Sequence, residues 1–188
     1  MIKDYITQNI DVESATEPID YIVKYKWSLG TATDRVKQMK FEWEEYKLAA
    51  VRFQYFPRTT SVNVGSAAND NPNTLICMAV DTDNSAKAVS FDRIMVLDTS
   101  KWWESNQYKE IYFKPKVESL LMNPTVPVQL VPESPWIHCG TEGEKVEYHG
   151  LQFGVQKLNA GANMFYSYVQ TMYWCFRKAR ASAPARYR

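Results

Sequence analysis

An all-β sandwich of the jelly-roll kind is the fold class this sequence predicts, and three observations predict it. Short apolar runs with a two-residue period recur along the chain, and in only one place does the spacing suit a short helix. Long connections rich in Pro, Ser, Thr, Asn and Gly separate these runs. The last third holds two strand patterns, at 149–156 and 164–176, that are too aromatic to stand without a covering layer. Two facing sheets with long loops gathered at their ends satisfy all three.

Taken in order, residues 1–18, polar and acidic apart from Tyr5-Ile6, read as an extended N-terminal segment, either an arm or a loosely attached stretch. The first clear strand spans 19–28, with Tyr21, Val23, Tyr25 and Trp27 on one face and Lys24, Lys26 and Ser28 on the other. Residues 46–56 form the next, with Val51, Phe53 and Tyr55 inward, Arg52 and Gln54 outward, and Pro57 ending it. A polar connection at 58–73 leads to a continuous apolar run, 74–80, short enough for a strand covered on both faces. Phe91, Ile94, Met95 and Leu97 are spaced for one or two helical turns. A strand at 108–117 sets Ile111 and Phe113 against Tyr112, Lys114 and Lys116. Prolines at 124, 127, 132 and 135 forbid regular pairing across 123–135, and a short strand follows at 136–139. Leu151, Phe153 and Val155 alternate with Gly150, Gln152 and Gly154; Asn159, Gly161 and Asn163 then supply turn residues, so 148–176 reads as a hairpin. Its second strand contains neither Pro nor Gly and is expected to have neighbours on both sides. Residues 19–180 thus make one domain, and 181–188 a basic C-terminal tail.

Composition excludes several classes. With 188 residues, 45% hydrophobic and 14% aromatic, the chain can bury a core and is neither disordered nor fibrous. Charged residues interrupt every apolar run well before 18 residues, so no membrane partner is expected. Cys77, Cys139 and Cys175 are far apart and odd in number, which fits a reducing compartment better than a disulfide or zinc framework. The net charge of +1 gives no global support to nucleic-acid binding.

Catalysis and metal binding find little support. His138 and His149 are the only histidines, and Cys139 beside His138 points to the opposite face of a strand, so no catalytic residue is assigned. Asp81, Asp83 and Asn84 begin like a calcium loop. The positions that require Gly and Glu hold Ala86 and Asp92, so neither a metal nor another cofactor is assigned. These oxygens fit a strand end and turn, or a partial intersubunit cation site.

The order of segments resembles the capsid proteins of circular single-stranded DNA viruses, the circovirus-like group. The residues that carry it are Glu45-Tyr46-Lys47, Val51-Arg52-Phe53-Gln54-Tyr55-Phe56-Pro57 and Asp81-Thr82-Asp83-Asn84. Further on come Ser90-Phe91-Asp92, Tyr112-Phe113-Lys114-Pro115-Lys116, Pro135-Trp136-Ile137, Tyr148-His149-Gly150-Leu151 and Tyr168-Val169-Gln170 running into Phe176-Arg177. The resemblance covers about 19–180. It implies a single eight-stranded jelly roll with at most one short helix, self-assembling into an icosahedral shell around a small circular single-stranded DNA genome. It also implies a virion location, with assembly in the host nucleus or cytoplasm, and a host attachment receptor whose identity the sequence does not carry. Members usually open with an arginine-rich arm that binds DNA. This chain opens Met-Ile-Lys-Asp-Tyr-Ile without one, so either the arm has been removed or packaging proceeds by other means.

Within that reading, Lys24 and Lys26, Lys114 and Lys116, and Arg177 are the candidates for neutralising genome phosphates, with nearby Tyr or Trp stacking on bases. The plainer reading makes them solvated strand faces that discourage edge aggregation. Trp102 and Trp103, adjacent and therefore unsuited to one core, are the candidate subunit contacts, the plainer alternative being one core residue and one surface cap. A cellular jelly-roll module that binds a carbohydrate or receptor ligand is the competing function.

Overall fold

The strand with the most neighbours is the last one. In the computed structural model, which describes residues 1–13, 20–58, 74–81, 88, 90–117, 135–156 and 163–180, β10 (Asn163–Ala179) lies antiparallel between β1 (Ile2–Glu13) and β3 (Trp43–Pro57). Sheet I runs β1-β10-β3-β6, with β6 (Lys109–Phe113) at its edge and the short β8 (Ile137–His138) on the start of β3. Sheet II runs β2 (Tyr21–Trp27), β9 (Tyr148–Val155), β4 (Leu75–Val80) and β5 (Lys101–Glu104), with β7 (Lys116–Val117) also pairing with β9. Without the two-residue strands β7 and β8, ten described strands become eight, four to a sheet. This is the jelly roll the sequence predicts.

Two expectations change. Residues 148–176 do not form a hairpin: β9 pairs with β2 and β4, β10 with β1 and β3, and the chain crosses between the sheets. Of the expected turn residues, Asn163 belongs to β10 and pairs with Glu13, while Asn159 and Gly161 lie outside the described residues. Nor is the start of the chain loosely attached. Twelve residues of β1 pair with β10, because Ile2, Asp4 and Ile6 alternate with Lys3, Tyr5 and Thr7 in the strand period that the polar composition obscured. Buried Asp4 anchors it by accepting from the Thr33 hydroxyl at 2.5 Å and the Thr33 amide at 3.1 Å.

Bulges reset the pleat where the sequence changes phase. In β3 the inward residues are Tyr46 and Leu48, then Val51, Phe53 and Tyr55, and the even-to-odd change coincides with a register shift opposite Tyr173 and Trp174. In β9, Gly150 has φ of 148° beside a similar shift. Tyr148 and Leu151 both reach the core as a result, and this backbone conformation is one that glycine adopts without strain. Pro115 divides the strand expected over 108–117 into β6 and β7.

Aromatic rings fill the space between the sheets. Tyr25, Phe53 and Tyr168 form a closed triangle with centroids 4.9, 5.1 and 5.3 Å apart, each pair adding about 0.5–1.5 kcal/mol beyond its area burial. Three of their polar tips are used as well: Tyr46 donates to the Gly143 carbonyl at 2.6 Å, Tyr55 to that of Ser105 at 2.7 Å, and the Trp27 indole to Gln170 at 2.5 Å. Burial pushes the phenols of Tyr25, Tyr46 and Tyr55 far up, so they remain neutral donors.

A second, smaller core lies on the outside of sheet II. The helical turn α2 (Phe91–Met95), capped by Ser90, follows α1 (Asp34–Gln38) in the chain and packs Phe91 and Ile94 on Ile22, Cys77 and Ala79. This explains why β4 is apolar on both faces. α1 is not among the elements the sequence pattern marks.

Candidate assembly and nucleic-acid surfaces

Strand alternation sends every second residue of sheet I away from the core, and three tyrosines stand there. Tyr5, Thr171, Arg52 and Tyr112 form one row across four strands. Beside it, Lys3 faces Tyr173 with its ammonium 5.7 Å from the ring, and Tyr173 meets Tyr112 edge-on at 6.0 Å. Tyr112 keeps 62% of its surface exposed. Lys114, also exposed, follows β6 directly. Further along the face, the Trp136 ring lies between the Lys47 ammonium at 4.8 Å and the Arg177 guanidinium at 4.3 Å, each a cation–π contact.

Two carboxylates balance part of this charge. Glu45 accepts from Lys178 at 2.5 Å and from Arg177, and these hydrogen bonds hold its carboxyl below the ordinary range. Glu110 accepts from Tyr108 and Arg52, each at 2.5 Å, with the same consequence. The face thus carries cations and aromatic rings, and Glu45 and Glu110 are both engaged.

The opposite face of the sandwich differs. On sheet II, His149 has Lys26 on one side and Lys116 on the other, and Lys24 faces Gln152. Lys26 bonds Glu147 at 2.7 Å, and Gln152 donates to Asp81 at 3.1 Å. The five basic residues singled out in the sequence thus divide: Lys24, Lys26 and Lys116 stand on sheet II, while Lys114 and Arg177 flank the aromatic face of sheet I. The sequence reading missed Lys3, Tyr5 and Tyr173, although for the first two the alternation of 2–7 carried the signal.

The tryptophan pair also divides. Trp103 is 3% exposed and meets Tyr55 at 5.8 Å in the core, so it is not a surface contact; successive strand residues point to opposite faces. Trp102 is 61% exposed. It borders a groove of about 360 Å³ between the edge strands β5 and β6, with Met78, Trp103 and Ile111 also in its lining and Lys101 and Lys109 beside them.

Among the described residues no three His, Cys, Asp or Glu converge as metal ligands; Asp83 and Asn84 lie outside those residues, as do 59–73, 118–134 and the tail 181–188. Burial pushes the Cys77 and Cys139 thiols up to about 11, which keeps them protonated.

Two four-stranded sheets in this order form a jelly roll, with large aromatics and cations on one outer face. Solved structures with this fold include the 60-mer BFDV capsid protein, 16% identical over 98% of this chain and 97% of that one with a TM-score of 0.65, and its decameric form, 17% identical over 94% and 99% with a TM-score of 0.60. A T=1 subviral particle of a Penaeus vannamei nodavirus capsid protein deletion mutant is 14% identical over 95% and 96%, with a TM-score of 0.56. No curated protein matches the sequence. The model of the circovirus capsid protein family matches residues 8–180, and the chain belongs to that family. It is a structural capsid protein of the virion, and the cellular binding-module reading is set aside.

Proposed function

We propose that the chain, without catalytic activity, assembles into a closed icosahedral shell around a small circular single-stranded DNA genome, with the outer face of sheet I lining the interior. The observation that carries this is the interleaving of Tyr5, Tyr112 and Tyr173 with Lys3, Lys114 and the Trp136–Arg177 stack. Unpaired bases stack on exposed rings without regard to sequence, at about 1–3 kcal/mol per base, while neighbouring cations neutralise phosphates. A shell presents only one side of the sandwich to its contents, so Lys24, Lys26 and Lys116 are assigned away from the genome. Trp102 is assigned to a subunit contact, and assembly to the host nucleus or cytoplasm.

Electron microscopy of the purified protein at physiological salt, with absorbance at 260 and 280 nm, tests shell formation and packaging. For the face, anisotropy titrations of oligo-dT over a salt series compare Lys3→Ala, Lys114→Ala and Tyr112→Ala with Lys24→Ala and Lys116→Ala. Each lost phosphate contact should flatten the log–log salt slope by about 0.7. Flattening by the sheet II pair alone would move the genome to the other face.

A further inference from the structure

The groove between β5 and β6 holds one carboxylate in its lining, Glu110, and that group is engaged by Arg52 and Tyr108 rather than by the lysines of the groove. Neither Lys101 nor Lys109 forms an ion pair among the described residues, whereas Lys26, Lys40, Arg52 and Arg177 each do. Apolar side chains line the space between the two lysines, and its volume suits one aromatic ring with its flanking backbone. An occupant should therefore carry an exposed apolar group next to negative charge.

The protein displays such a group at its opposite end. Phe41, 68% exposed, leads into β3, followed by Glu42 and by exposed Glu44. Neither carboxylate has an ion-pair partner among the described residues, in contrast to Glu45, which holds Arg177 and Lys178. Strand geometry keeps the two features apart within one molecule. Tyr55 pairs with Lys109, so Glu44 lies eleven residues, or roughly 35 Å, from the groove along β3. Contact between them requires two copies and is head-to-tail, the type of contact that closes rings when its rotation divides a full turn.

Resting on the assembly reading above, we propose that the β5–β6 groove receives Phe41 of a neighbouring copy, with that copy's Glu42 and Glu44 facing Lys101 and Lys109. Trp102 then forms one wall of the contact. Charge complementarity orients the incoming segment, and burial of the Phe41 and Trp102 rings supplies the adhesive area.

Photocrosslinking tests this on assembled wild-type-like particles. With p-benzoylphenylalanine at position 41, mass spectrometry should find the attachment within residues 100–111 of another copy. With the same residue at position 102, it should fall near Phe41. Capture of DNA from position 102 would assign the groove to nucleic acid, and attachment elsewhere would give Phe41 a different partner; either overturns the proposal. Charge reversal supplies an independent arm. Lys101→Glu with Lys109→Glu should abolish particles at unchanged melting temperature, as should Glu42→Lys with Glu44→Lys, and all four together should restore them. Particles from either double variant, or none from the quadruple one, overturn the pairing while leaving assembly intact. Absence of particles from the unmodified chain overturns the assembly reading itself.

Discussion

On sheet II the outward residues Ile22, Cys77, Ala79 and Gly154 lie beneath α2, whereas on sheet I Tyr5 and Tyr112 occupy comparable outward positions and stay open. Both faces arise from the same two-residue period. The difference is that the chain spends α2 on one of them. A sheet face closed by its own chain serves stability, and one left aromatic, basic and open is available to a partner. For a capsid protein the two sides of the subunit face different surroundings.

Replacing one ring on each face breaks the comparison most strongly. Phe91→Ala should cost about 3–5 kcal/mol, because it empties a buried site under α2. Tyr112→Ala should change stability by no more than about 0.5 kcal/mol. Urea denaturation of the two variants measures both, and equal losses would mean that the open face is part of the core.

A smaller effect should follow at Gly154. A Cβ there would stand 2.7 Å from Ile94 Cδ1 and 3.2 Å from the Phe91 ring, so Gly154→Val should destabilise by about 1–3 kcal/mol through overpacking. Shortening the neighbour with Ile94→Ala in the same chain should recover part of that loss. Thermal melts of the single and double variants sharpen the claim that α2 seats on this glycine.

The smallest effect concerns the charged end of sheet I. Hydrogen bonds from Lys178 and Arg177 hold the Glu45 carboxyl low, so its contribution is present above the ordinary glutamate value of about 4.3 and lost as pH falls to the lowered folded value. Melting temperature followed against pH should show Glu45→Gln below the parent at neutral pH and level with it in acid. A constant gap across that range would mean that the carboxylate charge plays no part.

The individual strands were legible in the sequence wherever their cause is local. Val51, Phe53 and Tyr55 alternate with Arg52 and Gln54 because the pleat has a period of two, and that holds whatever the strand pairs with. The apolar run of β4 announced two covered faces, and the spacing of Phe91, Ile94, Met95 and Leu97 marked the helical turn that covers one of them. Parity alone required Trp102 and Trp103 to point opposite ways.

Tertiary structure decided which strands are neighbours. The turn residues after β9 suit a chain that folds back beside itself and equally one that crosses to the facing sheet; pairing of β10 with β1 and β3 made the choice, through residues 109 to 172 positions away. The same long-range pairing separated Lys24, Lys26 and Lys116 from Lys114 and Arg177, and brought Lys3 beside Tyr173. Sequence by itself determined the period, the breaks and the family resemblance. Which side of the sandwich each residue occupies depended on sheet order, since a strand's own pattern distinguishes its two faces without saying what lies beyond either.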